Sequence, residues 1–138
     1  MEADELFEPG SPLAERVRAR GGDPVAAAWA LLPELADEEK VATLNAHPQI
    51  GATRNLSAHS RREQGSEEDP EVMAELQRLN AEYERRFGFR FVVFVNGRPR
   101  SVILGVLRSR LERPREVELE EGLRAIVEIA EDRRRQTA

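Results

Sequence analysis

Apolar residues recur at helical spacing in six stretches of the chain, and proline, glycine and charged residues punctuate them. Ser11 and Pro12 read as an N-cap and first helical position; Leu13 and Val17 form a short apolar face, and Gly21 and Gly22 stop it. Asp23 and Pro24 repeat that start, with Val25, Trp29 and Leu32 on one face and Pro33 as the end, which predicts a core position for Trp29. A third helix opens at Asp37 with Glu38 and Glu39 in its first turn, where the helix dipole favours acids, and it points Val41 and Leu44 inward. Pro48 biases the residue before it away from the α region, so this helix is expected to end at or just before His47. Asp69 and Pro70 give the clearest start: Val72, Leu76, Leu79, Tyr83 and Phe87 follow as a helical stripe, and Gly88 supplies a left-handed stop. Pro99 begins a helix with Ile103, Val106, Leu107 and Leu111 on one face. After Arg113 and Pro114, the last helix carries Leu119, Leu123, Ile126 and Ala130 as a stripe that continues onto Arg133. Arg134 lies at the opposite shoulder of that stripe, and periodicity does not choose between the two arginines.

Two stretches break the helical pattern. Phe89 to Val95, FRFVVFV, is β-branched and aromatic and would be a strand on propensity, with Asn96 and Gly97 as its turn. No second strand-like run exists to pair with it, so it is expected to be an extended piece threaded through a helical core, whose backbone groups find other partners or a ligand. Asn45 to Gly65 is the longest run without a helical stripe and holds both histidines. Long connections of this kind are functional or disordered, which makes this one the presumptive site. Residues 1–10, with Pro9 and Gly10, have no period and read as a tail or a lid over the core. The 138 residues thus predict one compact multi-helix domain without a true sheet.

Composition narrows the chemistry. Charged residues make up 34% of the chain and the net charge is −5, which argues against nucleic acid as a non-specific partner and favours a small anion held locally. The chain has no cysteine, which excludes disulfides, zinc thiolates and cysteine nucleophiles, and its two histidines could hardly build a metal site without carboxylate help. No leader pattern and no run approaching the ~20 apolar residues of a membrane span is visible, so a cytoplasmic protein is expected.

Three features could carry a reaction. His47 exchanges a proton near neutral pH, and its place at a helix C-terminus, near unpaired carbonyls, favours the protonated form; the alternative is a surface histidine that caps carbonyls. His59 has no such address and reads as a solvated loop residue. Ser60 and Glu63 have the spacing of a capping box, a role compatible with binding an anion at a helix N-terminus, to which Gln64 would add an amide. Arg133 is either the solvated end of an arginine-rich helix or a bidentate clamp on a carboxylate or imide-like anion. Together they suit a small, nitrogen-rich, anionic substrate. No phosphate loop, H-E-x-x-H or nucleophile elbow is present.

AHPQIG (46–51), SRREQG (60–65), LNAEYERRFGFRFVVFVNGR (79–98) and EIAEDRRR (128–135), in that order, resemble the 2-oxo-4-hydroxy-4-carboxy-5-ureidoimidazoline (OHCU) decarboxylases of uric-acid breakdown. The similarity spans nearly the whole chain after about residue 35. It implies an all-α single domain, a cofactor-free carboxy-lyase, commonly a homodimer, and (S)-allantoin as product. Carried over by motif, His47 is the catalytic acid/base; Glu63 is catalytic beside it; Pro48, Ser60 and Gln64 line the substrate pocket; the backbone of Phe91, Val92, Val93, Phe94 and Val95 contacts the substrate ring; and Arg133 clamps the substrate. The other readings are a related lyase or hydrolase acting on a different ureido or hydantoin-like compound, and a non-catalytic helical interaction module.

Overall fold

Three helices begin in the same way, with a polar cap followed by proline. In the computed structural model, which describes residues 3–49 and 69–137, Ser11 caps α2 (Pro12–Arg20), Asp23 caps α3 (Pro24–Leu31) and Asp69 caps α5 (Pro70–Phe87). Each side-chain oxygen accepts a backbone N–H of the first turn, from Ala14 at 3.2 Å, Ala26 at 2.9 Å and Glu71 at 2.9 Å. The short α1 (Ala3–Leu6) precedes them; α4 is Asp37–Ala46, α6 is Arg100–Arg110 and α7 is Arg115–Thr137. Among the described residues there is no strand, and no helix is long and apolar enough to cross a membrane. Gly88 ends α5 in the left-handed conformation, φ 84°, with its N–H on Glu84 O at 2.9 Å.

The core forms around α7. Leu119, Leu123, Ile126 and Ala130 are buried as the stripe predicts, and α1, α3 and α4 pack against this helix. At the crossing with α4 the Leu44 side chain sits directly on the Gly122 backbone: a Cβ added at Gly122 would be 2.9 Å from Leu44 Cδ2. That tight seat fixes the height of α4, and so of the residue that ends it. On the other side α5 and α6 pack together, with Leu76, Leu79, Tyr83 and Phe87 buried and Val72 at the edge.

FRFVVFV runs extended between these layers. Phe89, Phe91, Val92 and Val95 are buried, and Tyr83 meets the Phe91 ring edge-on at a centroid distance of 5.3 Å. The carbonyls that a sheet would have satisfied are taken by guanidinium groups: Arg110 Nη1 donates to Val92 O (2.9 Å), and Arg98 donates to Phe94 O (2.5 Å) and Val95 O (3.0 Å). Arg110 is itself buried, and Glu118, fully buried, accepts from Arg110 Nε at 2.7 Å and from the Tyr83 hydroxyl at 2.6 Å. This polar cluster was not foreseen, because Arg110 and Glu118 look like the charged faces of their helices.

Trp29 corrects the expectation of a core residue. The residue is 39% exposed, and its Nε1 donates to Glu131 on α7 at 2.7 Å. The sequence of α3, PVAAAWAL, is apolar almost all round, so the face that turns inward is set by α2 and α7; Val25, Ala27, Ala28 and Leu31 take it.

Candidate active site

α4 ends where Pro48 requires. His47 is its C-cap, in extended conformation (φ −81°, ψ 138°), with its N–H on Leu44 O at 3.1 Å. Two bonds clip the extended segment to this helix end: Arg90 N donates to Asn45 Oδ1 (3.0 Å) and Arg90 Nη1 to His47 O (2.9 Å). The His47 ring turns inward into a cavity of about 10 Å³, room for roughly one water molecule. Glu8, Ser11, Thr43 and Arg133 share this cavity with it, over an apolar floor of Leu6, Phe7, Ile126 and Ile129. Polar groups from both ends of the chain converge on it.

Burial reverses the charge state expected at a helix terminus. The His47 pKa falls from its ordinary 6.5 to about 3, first because burial penalises the imidazolium, then because the Arg133 and Arg90 guanidinium groups repel it. Glu8 Oε1 stands 3.9 Å from His47 Nδ1 but is already engaged by Arg133, so its charge does not undo the shift. The carbonyl dipole that favoured protonation is weaker than these effects, and Arg90 occupies the His47 carbonyl directly. At neutral pH the site therefore holds an uncharged imidazole with a proton-accepting nitrogen.

The two arginines of the last helix differ in burial and in partners. Arg133 is 3% exposed and donates from Nη1 to Leu6 O (2.8 Å) and from Nη2 to Glu8 Oε1 (3.2 Å). Arg134 faces outward to Asp23 at the cap of α3. Glu8 was missed on sequence; the signal that could have found it is the adjacent apolar pair Leu6 and Phe7, whose burial pins the backbone beside it. The stretch read as a tail or a lid thus packs on the core from Ala3 to Phe7.

Of the sequence candidates, His47 and Arg133 meet in one cavity; Pro48, next to His47 in the chain, is half-buried and does not line it. Ser60, Glu63 and Gln64, with His59, lie outside the described residues. The side chains of Val93 and Phe94 border a different cavity, about 230 Å³ in volume, with Arg98, Arg110, Arg113 and Glu128. Phe91, Val92 and Val95 are core residues. Among the described residues the N–H groups of Phe91 to Val95 take no hydrogen-bond acceptor, whereas three carbonyls of this segment, on Val92, Phe94 and Val95, accept from arginines.

A model of the OHCU decarboxylase family matches residues 2–135. The chain belongs to that family. The OHCU decarboxylase of Haloferax volcanii (strain DS2) is 30% identical over 136 residues, covering 92% of this chain and 81% of that protein. PucL, the uric acid degradation bifunctional protein of Bacillus subtilis (strain 168), is 36% identical over 98 residues, covering 67% of this chain. The chain spans about a fifth of the length of that bifunctional relative, the matched part being 20% of it. Among solved structures, an OHCU decarboxylase crystallised in the presence of (S)-allantoin superposes with a TM-score of 0.72 at 25% identity, covering 89% of this chain and 87% of that one. An (S)-allantoin synthase shares the fold, with a TM-score of 0.66 at 22% identity over 95% of this chain and 47% of that one.

Proposed function

We propose that the chain decarboxylates 2-oxo-4-hydroxy-4-carboxy-5-ureidoimidazoline to (S)-allantoin in uric-acid degradation. The observation that carries this reading is the uncharged, buried His47 facing Arg133 in one cavity of an OHCU decarboxylase family member. In the reaction the bond from ring carbon C4 to its carboxylate breaks and carbon dioxide departs. The electron pair stays in the ring as an enolic system, because the conjugated imidazoline is its own electron sink. The ring imine nitrogen, which receives that charge, takes a proton from solvent; protonation at C5 and loss of the 4-hydroxyl proton then leave neutral allantoin. Neutral His47 is suited to take the hydroxyl proton, since a base must be unprotonated at the working pH. Arg133 and the donors of Phe91 to Val95 suit the carbonyl oxygens of the ureido and ring amides, where charge develops. The family resemblance adds Glu63 to hold the hydroxyl, Ser60, Gln64 and Pro48 around the ring, and a homodimer as the assembly. The compartment expected for such an enzyme is the cytoplasm.

The experiment follows carbon dioxide release and the chirality of allantoin with freshly generated substrate, which decays by itself to racemic product. The wild-type chain should give (S)-allantoin, whereas His47→Asn should give only the background rate with its fold intact. Glu63→Gln should also lose turnover, beyond what a lost helix cap worth ~1 kcal/mol of stability explains. Near-normal (S)-allantoin formation by His47→Asn would sink the assignment.

A further inference from the structure

Glu8, which ties the two ends of the chain together in this cavity, is not among the sequence candidates. Arg133 is buried, and a buried guanidinium is stable only with an anion and filled hydrogen bonds. Among the described residues, the first eight supply both an acceptor and an anion, the carbonyl of Leu6 and the carboxylate of Glu8. The segment is well placed to hold that carboxylate still. Leu6 and Phe7 are 1% and 2% exposed, and on the other side Ser11 N donates to Glu8 O at 3.2 Å before Ser11 caps α2. The Glu8 carboxylate stands between two groups of the site, 3.2 Å from Arg133 Nη2 and 3.9 Å from His47 Nδ1.

We propose that Glu8 is a positioning residue of this site: its carboxylate sets the fork of Arg133 and holds the His47 imidazole as the Nδ1–H tautomer, leaving Nε2 bare to take the substrate's proton. The inference rests on the decarboxylase reading above. The separation of 3.9 Å is longer than a hydrogen bond, as such contacts often are before substrate binds, and it is within ion-pair range. Its purpose follows from charge. When Nε2 takes up the hydroxyl proton, an imidazolium forms in a buried site that already faces the Arg133 and Arg90 guanidinium groups. A carboxylate opposite Nδ1 is the group that offsets this charge as it develops, much as a buried acid serves the histidine of a hydrolase triad. An amide of the same shape would keep the packing and lose that compensation.

Two measurements test this. In steady-state kinetics, Glu8→Gln should lower kcat at least tenfold with KM within about threefold of wild type, and Glu8→Asp, which keeps the charge on a shorter arm, should recover part of the loss. A merely structural role would affect both variants alike and show in thermal stability instead. The proposal is overturned if Glu8→Gln keeps half or more of the wild-type kcat, if only KM changes, or if Glu8→Asp is no better than Glu8→Gln. Independently of turnover, nitrogen-15 NMR reads the tautomer directly, because the chain has two histidines and a His59→Asn background leaves one imidazole. The His47 proton should reside on Nδ1 at pH 7; finding it on Nε2 refutes the arrangement even if the enzyme is active. A chain with the Nδ1–H tautomer and no OHCU turnover would overturn the decarboxylase reading and leave the Glu8 contact standing.

Discussion

The charge state of His47 makes a quantitative prediction about folding that needs no substrate. Its folded pKa, about 3, lies below the ordinary 6.5 that applies to the unfolded chain, so the unfolded state binds the proton more readily. The sign follows: the stabilisation is fully present above pH 6.5 and is lost as pH falls from there toward 3. Each pH unit in that window is worth ~1.36 kcal/mol, so at pH 5, 1.5 units below 6.5, the loss is about 2 kcal/mol relative to pH 8. Urea unfolding of wild type and His47→Asn at pH 8, 7, 6 and 5 measures it. Other groups titrate in both proteins, including His59, so the difference between the two pH dependences isolates His47. Wild type should lose about 2 kcal/mol more than the variant between pH 8 and 5. If the two losses agree within about 0.5 kcal/mol, His47 is not held neutral by burial, and its assignment as a base at neutral pH fails with it.

The two arginines should separate cleanly: Arg133→Ala should abolish measurable affinity for a substrate analogue and destabilise the fold by breaking a buried pair, while Arg134→Ala, losing an exposed pair with Asp23, should change either by less than about 1 kcal/mol. Equal loss of analogue binding in both variants would contradict the inward placement of Arg133. In the core, Glu118→Ala leaves Arg110 buried without its carboxylate and should cost about 3–5 kcal/mol in urea unfolding, whereas Tyr83→Phe removes one hydrogen bond and should cost about 1–3 kcal/mol. A Glu118→Ala cost below that of Tyr83→Phe would show that the cluster is not held by charge.

What the amino-acid order determined by itself was local. Ser11, Asp23 and Asp69 before proline set three helix starts; Gly88 and the residue before Pro48 set two ends; and the stripe from Leu76 to Phe87 named its own buried face. These signals act within a turn or two of backbone, through fixed proline φ, unsatisfied N–H groups and side-chain period, and no tertiary contact has to supply them. The family motifs, too, were legible in order and composition. Tertiary structure alone decided which apolar or charged residue turned inward where the local pattern was degenerate. Trp29 on an apolar helix faced out, and of two adjacent arginines about 100° apart, Arg133 faced the core because Leu6 and Glu8 were there to receive it. Glu8 and Arg133 are separated by 125 positions, and no local period links them. The charge of His47 was misjudged on sequence for the same reason. A helix terminus is a local field, but burial and the approach of Arg133 and Arg90 are set by what the rest of the chain brings over the ring, and in a buried site those effects are the larger.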